Sequence, residues 1–340
     1  MNQLIVSTAP HIKTARTTKT IMLDVLIALA PATIAGCVLF GWQALVLILI
    51  SLASAFLTEF VWYLIQNKAW QNGKEVVNAF FKQFDFTSLI TGLLLALIIP
   101  ANIDAWYMPL LGSIFAVGVV KMLFGGTGKN VMNPALLGRI FLFISFGAMT
   151  AYPDPNFGTL FDPNGTLVTG ATSLTSGLAG EGTLSAIDLL LGTGVAGCIG
   201  ETCKVALLVG GVYLCVRGVI KWYLPLIYIA VTGLFAVALE GFDFTQFLPS
   251  ILSGGLILGA IFMATDYVTT PKSKLGNIIY FILLGLLTAG LRKATGIEVV
   301  SFCIVLMNIV VFLIDAAIKS RPFGYRREKK VKADTAKEGK

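Results

Sequence analysis

Charged residues are scarce in this chain. Only 13% of its 340 residues are Asp, Glu, Lys or Arg, whereas 56% are hydrophobic and the mean hydropathy is +0.84. An ordinary soluble domain carries about 25% charged residues, so the composition excludes a soluble globular fold and predicts an integral membrane protein. The net charge of +7 does not indicate nucleic-acid binding, because the cations cluster in short segments beside the apolar runs.

Histidine and cysteine are also scarce. The five cysteines form no Cys-x-x-Cys pair and no set of four, which disfavours an iron–sulfur cluster. Cys198 and Cys203 are close in sequence, yet packing explains them better than a disulfide bond or a shared metal site. His11 is the only histidine, and we interpret it as a packing or capping residue. The sequence therefore predicts no metal site and no catalytic residue.

Apolar runs dominate the rest of the chain. A spanning helix needs about 20 mostly apolar residues, and fewer where its ends lie within protein. Ten runs meet this description: 21–40, 44–66, 87–102, 106–123, 133–150, 203–220, 224–240, 250–266, 277–292 and 298–318. Cations flank alternate ends of these runs, which places both termini in the cytoplasm. Only Arg292 and Lys293 fall on the outer side against this pattern.

The ten runs divide into five and five, and an odd number of spans in each half inverts the halves relative to the membrane. We therefore predict an all-α membrane protein with two inverted five-helix repeats, 21–150 and 201–318. A cytoplasmic segment, 1–20, precedes the repeats, and a cytoplasmic basic tail, 319–340, follows them. Residues 151–200, between the repeats, are predicted to form an outer loop and a re-entrant half-helix.

The loop between the repeats has two unusual features. Residues 140–203 contain no Lys or Arg, which places this polar stretch outside the cytoplasm. Residues 187–199 are apolar but too few to cross, and their three glycines indicate a re-entrant segment, tolerated only where protein buries it or it lines a cavity. Asp188 and Glu201 bracket this segment. Ionisable residues at membrane depth are costly unless they are functional, so both are ion-path candidates.

Six motifs follow one another along the chain: Pro10-His11-Ile12, Gly125 to Pro134, Thr169-Gly170-Ala171-Thr172, Gly200-Glu201-Thr202, Met263-Ala264-Thr265-Asp266 and Met307-Asn308. In order and in spacing relative to the apolar runs, they resemble those of the D subunits of the Rnf complexes. The wider relative is the B subunit of the sodium-pumping NADH:quinone oxidoreductase. The resemblance covers nearly the whole chain and implies a ten-helix inverted repeat similar to that of urea transporters.

The function implied by the resemblance is electron transport. Such a protein carries electrons within a complex of the bacterial or archaeal cytoplasmic membrane. The complex couples electron transfer between ferredoxin and NAD⁺ to the translocation of Na⁺ or H⁺. This chain has no ferredoxin-like cysteine set and no NAD fingerprint. The resemblance therefore implies partners: a second covalent-flavin subunit, iron–sulfur subunits, further membrane subunits and a flavin transferase.

Cofactors are implied in the same way. In that family, the last threonine of a Ser/Thr-Gly-Ala-Thr motif is esterified to the phosphate of FMN, and Thr172 is the matching position. Gly170 and Ala171 keep the approach to its hydroxyl uncrowded. A second, non-covalent flavin, which is riboflavin in the relative, is also implied, without assigned contacts.

Two alternatives stay open. The glycine-rich stretch 125–130 lacks the nucleotide P-loop pattern, because no Ser or Thr follows Lys129. A tight cytoplasmic turn is the favoured interpretation, and a backbone nest facing the polar edge of a flavin is the other. For the whole chain, the alternative function is an inverted-repeat solute channel or permease without a redox role.

Overall fold

The architecture of the protein is helical. Its structure is a computed structural model that describes residues 16–68, 73–155, 170 and 186–318. No β-strand occurs among these residues. The helices are α1 (Thr18–Gln66), α2 (Gly73–Gln83), α3 (Thr87–Leu97), α4 (Tyr107–Met122), α5 (Pro134–Ser145), α6 (Ala186–Leu191), α7 (Lys204–Val216), α8 (Tyr223–Leu239), α9 (Phe247–Leu252), α10 (Leu256–Met263), α11 (Lys274–Thr295) and α12 (Val300–Ala317).

The lengths of the helices indicate a membrane protein. In the described part of the chain, α1, α11 and α12 are long and apolar enough to cross a membrane, and five spans result if each of two bent helix pairs counts as one. The helices α4, α5, α7 and α8 are apolar but shorter. The all-helical membrane class is thus confirmed, whereas the ten-span count stays a prediction. Helices end early for local reasons: α3 ends at Leu97, before Pro100, which disfavours helical backbone just ahead of it.

The first helix is in fact two arms. It has 49 residues, which at about 1.5 Å per residue is more than twice the roughly 30 Å of a bilayer core. Gly41 separates the arms with φ 72° and ψ −156°, a backbone conformation that only glycine adopts readily. The two arms correspond to the predicted runs 21–40 and 44–66.

Two helix pairs are bent, one just before the third apolar run of the first half of the chain and one inside the third apolar run of the second half. The angle is 66° between α2 and α3, and 67° between Phe244–Leu252 and α10. One residue at each break has left-handed backbone, Phe86 with φ 65° and Gly254 with φ 62°. The ring of Phe84 stacks edge-on against that of Phe86, with centroids 5.2 Å apart, and supports the non-glycine residue there. The sequence prediction of one run over 250–266 missed the second break.

The segment predicted to be re-entrant contains little helix. Its helical part, α6, has six residues, a length of about 9 Å that cannot cross a bilayer. The chain then turns at Gly192 and Gly194, which have φ of 78° and 67°. Residues 195–200 are buried against the end of α3, where the Ile199 N–H donates to Ile99 O at 3.2 Å and the Gly200 N–H donates to Leu97 O at 2.7 Å.

Candidate functional site

The predicted FMN attachment site is described only at its first glycine. Thr172 and Ala171 lie outside the described residues. The Gly170 N–H donates to the main-chain oxygen of Tyr152 at 2.9 Å. A Cβ atom at position 170 would lie 2.1 Å from Oδ1 of Asp154, so a side chain there would require the Asp154 carboxylate to move. Gly170, the described residue of the motif, thus lies beside the segment that follows α5.

Close to this contact lies a group of buried charged residues that are far apart in the sequence. Burial raises the pKa of the Tyr152 phenol, which lies within electrostatic range of the Arg139 guanidinium. Arg139, Lys204 and Arg292 are at most 8% exposed, and Glu201 is 4% exposed. We call the following set the outer charge cluster: Arg139, Glu201, Lys204, Arg292 and Glu298. Three cations against two carboxylates give the ionised cluster a net charge of +1.

Glu201, one of the two ion-path candidates, is buried within this cluster. Its Oε1 accepts a hydrogen bond from the Cys198 N–H at 3.1 Å, and Lys204 Nζ donates to its main-chain oxygen. Its Oε2 is buried and has no hydrogen-bond partner in the described part of the protein. A Cβ atom at Gly255 would lie 2.6 Å from this oxygen. The carboxylate therefore approaches the N-terminus of α10, where a negative charge is favourable.

Asp188, the other candidate, has a different environment. Its Oδ1 accepts from the Thr193 hydroxyl at 2.8 Å, and its main-chain oxygen accepts from the N–H groups of Gly192 and Thr193. It is only partly buried. These bonds close the turn after α6, which gives Asp188 a structural role. The hydrogen bonds of the described residues do not connect it to Glu201.

Arg292 is one of the two cations that depart from the predicted charge pattern, and it is buried with partners of its own. Its Nη2 lies 2.9 Å from Oε2 of Glu298 and 3.2 Å from the oxygen of Ser253, and its Nη1 donates to Ser250 O at 2.9 Å. The break between α9 and α10 deprives such carbonyls of helical partners. The guanidinium thus stabilises the second break. Lys293, by contrast, is 46% exposed and pairs with Glu240 at 3.3 Å.

The first break is stabilised in a comparable way. Lys121 Nζ lies 3.0 Å from Oε1 of Glu59 and also donates to the Thr87 hydroxyl at the start of α3. The hydroxyls of Thr87 and Thr127 donate to the two oxygens of Asp85, at 2.6 and 2.8 Å. Each break is therefore held by a buried cation near the end of the next long helix, α4 in one case and α11 in the other.

A cavity opens beside Lys121, and helices from both halves of the chain line it. It contains about 860 Å³ of space, part of it open to solvent, and its walls are mainly apolar. Lys121, Asn130, Asn133 and Asp266 provide polar groups. Gly128 also lines the cavity, so the glycine-rich turn faces a potential ligand site.

Asn133 connects the cavity to the middle of the protein. Its Oδ1 caps α5 at the Ala135 N–H, 3.1 Å away, and its Nδ2 donates to Met263 O at 3.4 Å. With the Asn308 amide oriented so that its oxygen faces α5, that oxygen accepts from the Asn133 N–H at 3.2 Å. Three of the sequence motifs, at the start of α5, at the end of α10 and within α12, thus meet at this point. The sequence located all three motifs but could not place them in contact.

Comparisons with known proteins agree with the resemblance inferred from the motifs. A model described as the NQR2, RnfD, RnfE family matches residues 5–324. The chain is 41% identical to the D subunit of the Na(+)-translocating ferredoxin:NAD(+) oxidoreductase complex of Acetobacterium woodii, over 97% of this chain and 99% of the relative. It is 34% identical to the D subunit of the proton-translocating ferredoxin:NAD(+) oxidoreductase complex of Clostridium ljungdahlii, over 96% and 98%.

A third relative extends this agreement. The chain is 33% identical to the D subunit of the ion-translocating oxidoreductase complex of Escherichia coli K12, over 95% of this chain and 99% of the relative. In the described residues, no group of three or more His, Cys, Asp or Glu side chains could hold a metal ion. The chain belongs to the NQR2, RnfD, RnfE family, as the order of its motifs predicted.

Proposed function

We propose that the protein is the membrane flavoprotein of the RnfD type in an ion-translocating ferredoxin:NAD⁺ oxidoreductase. Its near full-length identity to relatives that are named as such subunits is the observation that carries this function. The relatives include a sodium-translocating and a proton-translocating complex, so the proposal covers both ions. The protein works with a second covalent-flavin subunit, iron–sulfur subunits and further membrane subunits in a bacterial or archaeal cytoplasmic membrane, with both termini in the cytoplasm.

FMN is held through a phosphoester bond to the Thr172 hydroxyl, formed by a flavin transferase. The isoalloxazine ring supplies the redox chemistry. Two observations support this position: the Thr-Gly-Ala-Thr motif itself, and the fixed contact of Gly170 with Tyr152 and Asp154. The main-chain hydrogen bond to Tyr152 fixes Gly170, which directly precedes Ala171 and Thr172 in the sequence. The flavin transferase can therefore approach the hydroxyl, which follows this fixed glycine closely in the sequence, from a defined direction.

The cavity suits the second, non-covalent flavin. The assignment rests on the residues that line the cavity, because its space of about 860 Å³ includes open solvent. Apolar walls can enclose the ring system, and Asn130 and Asn133 can hydrogen-bond its polar edge. Among the described residues that line it, Lys121 is the one cation, and it is already paired with Glu59. This charge balance favours an uncharged tail, as in riboflavin, over a phosphate.

The ten-span inverted repeat remains part of the proposal, with boundaries 21–150 and 201–318. The bends of 66° and 67°, one just before the third run of the first half and one inside the third run of the second half, support it. The cations at the breaks, Lys121 and Arg292, add support because they come from the fourth run of each half. Of the two ion-path candidates, Glu201 is favoured over Asp188, because Glu201 is buried and Asp188 has a sufficient structural role.

The test is whether flavin stays on the denatured chain. Protein produced together with its flavin transferase is run on a denaturing gel and viewed under ultraviolet light. We expect a fluorescent band at the mass of the chain, because a covalent cofactor survives denaturation. A colourless chain, produced with an active transferase, would instead favour the permease alternative.

A further inference from the structure

The guanidinium of Arg139 occupies an unusual position within α5. It is 4% exposed, and none of the ion pairs among the described residues includes it. Its Nη1 donates to the Ser301 hydroxyl of α12 at 3.1 Å, and its Nη2 lies 3.9 Å from Sγ of Cys198. The carboxylates of Glu201 and Glu298 act on it at longer range, without a direct ion pair. A cation at membrane depth is costly, and it is seldom kept without a direct ion pair unless it has a function.

Arg139 lies between the cavity and the Glu201 carboxylate. Below it is the cavity, whose lining includes Asn133, six residues earlier in α5 and about 9 Å away along the helix. Above it is Glu201, connected through Cys198, whose N–H donates to the Glu201 carboxylate at 3.1 Å. Neither this cavity nor the one beside Glu59 reaches Arg139. Any passage along the α5–α12 interface between the two places crosses the guanidinium.

We propose that Arg139 is the charge barrier that closes the α5–α12 interface to cations. An arginine stays protonated at every physiological pH, so its charge cannot be removed by proton uptake or release. Repulsion between like charges is strong in a medium of low dielectric constant, and a single arginine can exclude cations and protons from a pore. The other four charges of the cluster, two cations and two carboxylates, cancel when fully ionised, so the excess positive charge of the cluster is that of Arg139 itself.

The barrier separates the path of electrons from that of ions. A positive charge does not oppose the transfer of an electron, whereas it opposes Na⁺ and H⁺. An ion that reaches Glu201 from the outer face therefore stops there or leaves by another route. This inference does not depend on flavin attachment, because the barrier acts in the resting protein.

The experiment measures passive leak. The complex is reconstituted into vesicles that contain a pH-sensitive dye, a proton gradient is imposed without any electron donor, and its decay is followed. For Arg139→Gln we expect the decay rate to rise by roughly tenfold or more, because the charge is lost while the polar side chain stays. Arg139→Lys keeps the charge and should remain as tight as the wild type.

A second variant keeps the arginine in place. Ser301→Asp puts a carboxylate where the hydroxyl accepts from Arg139, and neutralisation of the charge should produce the same leak as Arg139→Gln. If the complex with Arg139→Gln fails to assemble, the leak rate of the Ser301→Asp variant tests the inference instead. Lys293→Gln, which removes an exposed cation, is the matched control and should stay tight.

Three results would overturn the inference. If the proton gradient decays at the same rate with the wild type and with the neutralised variants, the fully buried Leu136 and Ile304 near Arg139 suffice as a barrier. Leak in Arg139→Lys would mean that packing matters and charge does not. Leak in the Lys293→Gln control would mean that loss of any cation loosens the protein. Covalent fluorescence on a denaturing gel, measured in parallel, reports on the proposed function separately.

Discussion

Replacing Arg292 by Met removes the cation that holds the second helix break. In the wild-type protein the guanidinium is 8% exposed and bonds to the Glu298 carboxylate and to the oxygens of Ser250 and Ser253. Methionine fills a similar volume but makes none of these bonds. The Glu298 carboxylate, 9% exposed, then keeps a buried charge without its partner.

The expected cost is large. Loss of one partner of a buried ion pair destabilises a protein by about 3–5 kcal/mol. Each kcal/mol lowers the melting temperature of a chain of this order of size by about 2–4 °C, so the apparent Tm should fall by about 6 °C or more. Lys293→Met is the matched control: its pair with Glu240 is half-exposed, and such pairs contribute about 0–1 kcal/mol.

The assay is thermal unfolding of the detergent-solubilised protein, followed by loss of monodisperse material. Combining Arg292→Met with Glu298→Leu should restore about half of the lost stability, because replacing a buried pair by apolar residues is often neutral. The two carbonyls stay unpaired, so the recovery should be incomplete. An unchanged Tm in Arg292→Met, or a double variant that melts still lower, would refute the assigned role of the pair.

Three further outcomes are expected. Gly170→Pro should reduce covalent flavin on denaturing gels, because proline lacks the N–H that donates to Tyr152 O at 2.9 Å; normal labelling would contradict the anchoring contact. Asn130→Ala should lower the amount of flavin that denaturation releases, measured by chromatography, while covalent flavin stays, because the amide that can hydrogen-bond the polar edge of the ring is lost; unchanged release would remove the cavity as the second flavin site. Gly41→Ala should cost roughly 1–3 kcal/mol of stability, because its backbone conformation is strained for any side chain, whereas Gly73→Ala, with open space around it, should not.

The positions of the helices along the chain were the most predictable part of the fold. Long apolar runs are set by the thickness of the bilayer, and the structure places helices within all ten predicted runs. Gly41 lies in the gap between the first two runs, where the chain turns. The break at 253–255 could not be predicted, because its Ser and Gly residues lie inside an apolar run and its stabilising arginine comes from a distant helix.

The site was predictable only in part. Motifs singled out Gly200–Thr202 and the glycine-rich turn, because each is local in sequence, and the structure places them at the buried charges and at the cavity. Thr172, outside the described residues, stays a prediction. The outer charge cluster joins residues up to 159 positions apart, from Arg139 to Glu298, and single-sequence patterns carry no signal for such contacts. One sequence signal did exist. Arg292 departs from the predicted distribution of Lys and Arg between the two sides of the membrane, and a cation on the unexpected side needs a buried partner.

The central claim, that Thr172 carries FMN, is tested most directly by one substitution. Thr172→Ala and the wild type are each produced with the flavin transferase, denatured, separated on a gel and viewed under ultraviolet light. We predict a fluorescent band for the wild type, none for Thr172→Ala at equal protein amount in the membrane, and partial labelling for Thr172→Ser, which keeps a hydroxyl. Full fluorescence in Thr172→Ala would contradict the claim.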